Sequence, residues 1–160
     1  MDHGWHKMTV MNLDKIEEWV RAKDFAIAVY KEAVLCLPAS EKYNLADQLR
    51  RSASSIPANI AEGHGCYHFL DNVRFCYIAR GSLTEVQSHL SLARELGYLP
   101  DDVYSHLTLH AESVAKQLNT YIAYLKRSKP GEKDLPSSYT VREQVDPYLL
   151  DDPDEDPANR

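Results

Sequence analysis

Arginines that could bind phosphate groups are the residues of this sequence with the most direct chemical potential. They fall in two stretches, one at residues 50–51 and the other between residues 74 and 94. A guanidinium group matches phosphate oxygens in a bidentate way, and phosphate contacts supply most sequence-independent affinity for nucleic acids. The predicted nucleic-acid-binding residues are Arg50, Arg51, Arg74, Arg80 and Arg94. A second interpretation stays open, in which nearby carboxylates pair with these cations: Asp47, Glu62, Asp71, Glu85 and Glu95.

Two histidine pairs have the spacing that could bring imidazoles to one metal ion. His106 and His110 lie four residues apart and would share one helix face. No third ligand follows in a known pattern. His64 and His68 have the same spacing, but Gly65 lies between them at a predicted helix end. We therefore expect no metal site and a solvated helix face at the first pair.

Three glutamates are candidates for buried catalytic acids: Glu41, Glu62 and Glu85. No histidine–serine or histidine–cysteine arrangement accompanies them, so the sequence does not indicate an activated nucleophile. The glycines at 63 and 65 follow a helix rather than a strand, which does not fit a phosphate-binding loop. The sequence predicts a protein that is not an enzyme and has no cofactor.

The elements that must position these residues are helices, as apolar residues recur at spacings of three and four. The first predicted helix covers residues 14–37 and ends before Pro38. We expect the second to begin at a Ser40 cap, with an acidic first turn, and to end at Gly63 and Gly65. The third is expected from about residue 68 to Gly97, and the fourth from Pro100 to about residue 128.

The third predicted helix has the most regular apolar pattern. Its a/d seam consists of Cys76, Ala79, Leu83, Val86, Leu90 and Ala93. No segment alternates with the period of a strand. Long helices with short connections are typical of an antiparallel up-down bundle. The predicted fold class is therefore all-α, an antiparallel up-down four-helix bundle.

Pro57 lies well inside the second predicted helix, where proline removes one hydrogen bond and crowds the preceding turn. We expect a kink there. A second flank of this helix is small or apolar: Ala46, Ser54, Pro57, Ala58 and Ala61. This flank either completes the core or faces a neighbouring subunit.

Charge separates the body of the chain from its end. Of 24 acidic and 18 basic residues, nine and four lie in residues 129–160. The rest is nearly neutral. Acidic, proline-containing segments bury too little apolar surface to fold. The predicted organisation is a flexible N-terminus over 1–13, the bundle over 14–128 and a disordered acidic tail over 129–160.

Three cysteines, with no C-x-x-C pair, favour reduced thiols and a cytoplasmic location. No apolar run approaches the roughly 20 residues of a transmembrane helix, and the N-terminus does not resemble a signal peptide. We expect no association with a membrane.

Two motifs resemble a known family. Residues 45–63 read LADQLRRSASSIPANIAEG, and residues 78–99 begin IARGSLTE and end LARELGYL. Both resemble the four-helix bundle family of bacterial intervening-sequence proteins, encoded within large-subunit ribosomal RNA genes. The resemblance covers residues 25–125. It implies a ring-like homopentamer and kinship with the accessory variability determinant proteins of diversity-generating retroelements, which bind nucleic acid and a reverse transcriptase.

Two functions follow as expectations. One is a nucleic-acid-binding accessory protein that presents RNA or DNA to a reverse transcriptase. The alternative is an interaction scaffold whose acidic tail recruits a basic partner without nucleic acid. One departure from the family weakens the first: after residue 63, where relatives often have a basic run, this chain has HGCYH and no cation until Arg74.

Overall fold

The computed structural model describes residues 11–66 and 69–127, without the side chain of Phe69. The predicted flexible segment 1–13 lies almost entirely outside these residues, and the predicted disordered tail 129–160 lies entirely outside them. Within the described residues all regular structure is helical.

Four long helices follow a short 3₁₀ turn at Leu13–Lys15. Helix α1 covers residues 17–36 and has three parts. These are an α-helical stretch Glu17–Ala28, a π-helical turn Val29–Ala33 and a last α-helical turn Val34–Cys36. A second 3₁₀ turn, Ala39–Glu41, leads to helix α2. The remaining helices are α2 at Leu45–Gly65, α3 at Phe69–Glu95 and α4 at Asp101–Arg127.

The helices form an antiparallel up-down bundle, which confirms the predicted fold class. Consecutive helices pack side by side, and α4 closes the bundle against α1. Early α1 meets mid α4, where Arg21 Nη1 lies 3.5 Å from Ser113 Oγ. Late α1 meets early α4, where Glu32 Oε2 lies 2.8 Å from His106 Nδ1. These two contacts fix the antiparallel direction of the pair.

The predicted seam of α3 lies at the centre of the core. Each of its six residues is at most 1% exposed, from Cys76 to Ala93. The largest apolar side chains that surround the seam come from every other helix, among them Phe25, Ile56 and Leu118. The apolar residues that recur at spacings of three and four in the sequence of α3 are therefore the ones that form the core.

The start of α2 differs from the prediction. Ser40 does not cap the helix, because residues 39–41 form a 3₁₀ turn and α2 begins only at Leu45. The Glu41 carboxylate instead accepts a hydrogen bond from the Leu45 amide at 3.2 Å. The 3₁₀ turn moves the helix start four residues beyond the expected site, so the acid fills the capping role.

Helix α2 ends at Gly65 as predicted, but Gly63 lies inside the helix. A Cβ at this position would come within 2.8 Å of Asn72 Oδ1 and 3.1 Å of Phe75 Cβ. Gly63 therefore allows α2 and α3 to approach closely. Gly97 ends α3 as predicted: its φ is 74°, and the Tyr98 amide bonds the Ala93 carbonyl at 2.9 Å in a Schellman motif.

Helix α2 continues through Pro57 without interruption. The predicted kink at this residue stays a prediction. The small flank of α2 divides in the structure: Ala46 is buried, Pro57 and Ala61 are half-buried, and Ser54 and Ala58 are exposed. Part of the flank thus completes the core and part lies open.

Candidate nucleic-acid interface

Arg50 and Arg51, although adjacent, lie in different surroundings. The Arg50 guanidinium donates to the Lys42 carbonyl at 3.3 Å, and its own carbonyl accepts from the Tyr30 hydroxyl of α1 at 3.2 Å. Arg51 is exposed and lines a small polar groove between α2 and α3 with Glu85. A step of about 100° between successive helical residues accounts for this separation.

Arg94 is engaged in the connection between α3 and α4. Its Nε donates to Asp101 Oδ1 at 2.7 Å, and its guanidinium lies 4.8 Å from the centre of the Tyr104 ring. The Asp101 carboxylate raises the pKa of Arg94 further above its usual value. This cation mainly joins the end of one helix to the start of the next.

Arg74 and Arg80 belong to a basic cluster around Tyr77, which we call the Tyr77 patch. It consists of Tyr77 and the two cations at its ring, Arg80 of α3 and Lys126 of α4, with their sequence neighbours Arg74, one turn before Tyr77, and Arg127, the residue after Lys126. The Arg80 guanidinium lies 4.8 Å and Lys126 Nζ 5.3 Å from the centre of the Tyr77 ring. Cations attracted to one aromatic ring are thereby held close together.

The five predicted arginines do not form one continuous stripe. Arg51 is level with Glu85, and Arg74 lies eleven residues before Glu85 on α3. At 1.5 Å per residue, about 16 Å of helix axis separates the two exposed cations. The structure places Arg80 at the Tyr77 ring, with Arg74 one turn before Tyr77 on the same helix, and places Arg50, Arg51 and Arg94 elsewhere on the bundle.

Sequence reasoning missed Tyr77 and Lys126. The spacing Arg-x-x-Tyr-x-x-Arg at residues 74–80 is visible in the sequence and places three side chains on neighbouring turns. Lys126 had no such signal, because only the packing of α4 against α3 brings it to the Tyr77 ring.

One hydrogen bond between serine side chains joins α2 to α3, and the neighbouring polar side chains bond within α2. The Ser82 hydroxyl donates to Ser55 Oγ at 2.9 Å, and Asn59 Nδ2 donates to the same oxygen at 2.9 Å. Ser52 donates to the Gln48 carbonyl at 2.8 Å. These residues come from both motifs that resemble the family, residues 45–63 and 78–99, so part of the motif pattern reflects helix packing.

The histidines have structural partners. His106 pairs with Glu32, while the His110 ring meets the edge of Phe25 at 5.3 Å between centroids. Burial lowers the pKa of His110. Among residues 11–66 and 69–127 there is no group of three or more possible ligands that could hold a metal ion. His68 lies outside the described residues.

His64 lies in a polar cluster at the opposite end of α4. Its ring stacks on Tyr121 at 5.1 Å, and Tyr121 accepts a hydrogen bond from Asn72 at 3.0 Å. Nε2 of His64 is buried with no hydrogen-bond partner in the described part of the chain. Burial lowers the pKa of His64 and raises that of Tyr121 to about 12. Both groups are consequently neutral at pH 7.

The three candidate catalytic acids are not buried, contrary to expectation. Glu62 and Glu85 are exposed, and Glu41 is half-buried at the start of α2. Glu85 lies 3.5 Å from His89 one turn away. Glu62 and Glu85 are solvated on the outer sides of α2 and α3, whereas the Glu41 carboxylate bonds the Leu45 amide before α2.

The outer side of α3 exposes apolar side chains as well. Leu70, Ile78 and Leu92 are 49%, 41% and 50% exposed. Ser54 and Ala58 of the neighbouring helix α2 are also exposed. These exposed apolar side chains are available for packing against another protein.

The fold is an all-helical bundle that carries these exposed basic and apolar side chains on its outer surface. No helix in the described ranges is both long and apolar enough to cross a membrane. Residues 14–120 match the family described as 23S rRNA-intervening sequence protein, and the chain belongs to that family.

One solved structure with a similar fold is that of a protein with unknown function from the S23 ribosomal protein family of Bacteroides thetaiotaomicron VPI-5482. It is 23% identical in sequence, has a TM-score of 0.59, and the match covers 66% of this chain and 97% of that one. No curated protein matches this chain.

Proposed function

We propose that this protein is a non-catalytic, homo-oligomeric bundle that acts as a nucleic-acid-binding accessory. The observation that carries the proposal is a set of cations without carboxylate partners in the described part of the chain: Arg51, Arg74, Lys126 and Arg127. Unpaired cations are available to neutralise phosphates and release the counterions bound to them.

The resemblance to retroelement accessory proteins supplies the partner enzyme in this proposal. RNA or DNA held on the bundle would be presented to a reverse transcriptase in the cytoplasm. In the part of the chain that the structure describes, no activated nucleophile lies beside the exposed Glu62 and Glu85, and we propose a role in binding rather than in catalysis.

The homo-oligomer is the second part of the proposal, with a pentamer as its expected form. The exposed Ile78 and the neighbouring Ala58 supply an apolar surface on α2 and α3 for a second copy. A ring joins two different surfaces of each subunit, so such an interface closes with rotational symmetry. Each subunit would then add its own basic patch to the ring.

Light scattering tests the assembly. We expect a mass close to five times the 18.2 kDa of one chain at micromolar concentration. Ile78→Glu should reduce that mass, because a carboxylate would replace an apolar contact between subunits. A wild-type mass of one chain would contradict the oligomer.

Salt dependence tests nucleic-acid binding. On a labelled 20-nucleotide RNA and a 20-base-pair DNA duplex, affinity should fall steeply with salt, by about 0.7 and 0.9 in the log–log slope for each phosphate neutralised. Arg50→Gln combined with Arg51→Gln should weaken binding to all sequences alike, because phosphate contacts carry no base information.

Two comparisons sharpen the salt experiment. Arg21→Gln is the matched control, since Arg21 already pairs with Glu17 at 2.9 Å. Deletion of residues 130–160 removes nine acidic and three basic residues and should strengthen binding. No binding at low salt, with or without residues 130–160, would contradict the accessory role. Loss of a basic protein partner on the same deletion would favour the scaffold instead.

A further inference from the structure

Tyr77 is the one aromatic residue of α3 that the described contacts surround with cations. Arg74 and Arg80 lie three residues to either side of it, so they occupy the neighbouring helical turns. Lys126 reaches the ring from α4, at 5.3 Å from the ring centre. The ring is half-buried, so its packing restricts its motion while leaving part of its surface open.

The helical segments on either side of the patch contain no carboxylate. Residues 72–84 of α3 and 113–127 of α4 contain no aspartate or glutamate, and together they carry five cations: Arg74, Arg80, Lys116, Lys126 and Arg127. The chain as a whole has a net charge of −6. These two segments are therefore locally positive although the chain as a whole is acidic, and their nearest carboxylates along the chain are those of Asp71, Glu85 and Glu112.

We infer that the Tyr77 patch binds single-stranded nucleic acid, with one base stacked on Tyr77 and the adjoining phosphates held by Arg74, Lys126 and Arg127. This inference rests on the proposed nucleic-acid-binding function and names the form of the ligand. Aromatic rings within a positively charged surface are the usual means of holding single strands without sequence preference.

The mechanism of binding follows from the contacts of the free protein. A base that stacks on Tyr77 takes the place of one cation on the ring. That cation then turns to the phosphate next to the stacked base. The exchange replaces a cation–π contact with base stacking and a charge-assisted hydrogen bond.

A duplex or an acidic peptide would use the same cations differently. The bases of a duplex are stacked inside it, so only phosphates would contact the patch and the Tyr77 ring would contribute little. An acidic peptide would likewise engage the cations and not require an aromatic ring. The contribution of the ring thus distinguishes the single strand from both other ligands.

Fluorescence anisotropy with a labelled 20-nucleotide oligothymidylate and a 20-base-pair duplex tests the inference. Tyr77→Leu should weaken binding of the single strand about tenfold and of the duplex less than twofold. Tyr77→Phe should bind the single strand as the wild type does, because the ring is retained. Lys126→Gln should weaken binding of both ligands and reduce the slope of the salt dependence.

Tyr43→Leu is the matched control. Tyr43 is 82% exposed, and Lys42 Nζ lies 5.1 Å from the centre of its ring. Tyr43 lies outside residues 72–84 and 113–127, the two segments without aspartate or glutamate. Its loss should leave both affinities unchanged, and circular dichroism should show that every variant is folded.

The outcomes separate this inference from the proposed function. If Tyr77→Leu weakens both ligands equally, or neither, the single-strand site is wrong while nucleic-acid binding stands. If polyglutamate of equal charge displaces the oligothymidylate equally from wild type and Tyr77→Leu, the patch is a site for acidic polymers. If neither nucleic acid binds at low salt, the proposed function itself fails.

Discussion

Replacing Leu83 with aspartate is expected to unfold the bundle. Leu83 is 1% exposed at the centre of the α3 seam. A carboxylate there would have no ionic partner in the core, and burying an unpaired charge costs several kcal/mol or forces protonation. That cost is comparable with the total stability of an ordinary domain, about 5–15 kcal/mol.

Far-UV circular dichroism and the yield of soluble protein measure the outcome. Leu83→Asp should lose most of its helical signal at 25 °C. The neighbouring Thr84 is exposed, so Thr84→Asp should keep the wild-type spectrum and melting temperature within a few degrees. A soluble and fully helical Leu83→Asp protein would mean that the seam has been assigned to the wrong side of α3.

Two glycines on facing helices should respond in opposite ways to the same substitution. Gly63→Val should lower the free energy of unfolding by about 3 kcal/mol, because new methyl groups would overpack the contact between α2 and α3. Even the first added carbon would lie 3.2 Å from the Asn72 carbonyl oxygen. Asn72 also holds the Tyr121 hydroxyl, so its displacement would disturb α4.

Gly81→Val is the control for Gly63→Val. Nothing lies within 4 Å of a Cβ at Gly81, so the change should be neutral or raise stability by a few tenths of a kcal/mol, as valine is the better helix former. Urea denaturation of both variants gives the comparison. Equal destabilisation at the two positions would show that Gly63 is not a close-packing site.

Capping positions show how far local rules extend. The positive φ at Gly97 was predictable, because glycine after a helix takes this conformation at little cost. The start of α2 was not, since Ser40 and Glu41 both satisfy the local preferences and the 3₁₀ turn decided between them. The π-helical turn at Val29–Ala33 had no sequence signal that distinguishes it from an α-helix.

The candidate site was less predictable than the fold. Arginines are visible in any sequence, but whether one is free depends on residues far along the chain. Arg94 is paired because α4 begins with Asp101, seven residues later. Arg51 and Arg74 lie far apart because the antiparallel pairing of α2 and α3 sets Arg51 level with Glu85.

The sequence by itself determined the helical fold, since an apolar spacing of three and four over long stretches admits only helices that bury one face. The six residues of the α3 seam, all buried as expected, show this most clearly. The family followed from the same residues, since the two motifs contain both the core positions and the polar residues that join α2 to α3.

Tertiary structure alone decided which cations converge and which are neutralised. Lys126 comes within 5.3 Å of Tyr77 across 49 residues of chain, and Gly63 is needed because Phe75 of another helix passes close to it. Local spacing specifies the turn on which a side chain lies. The register between helices, set by packing of the whole core, specifies what that side chain meets.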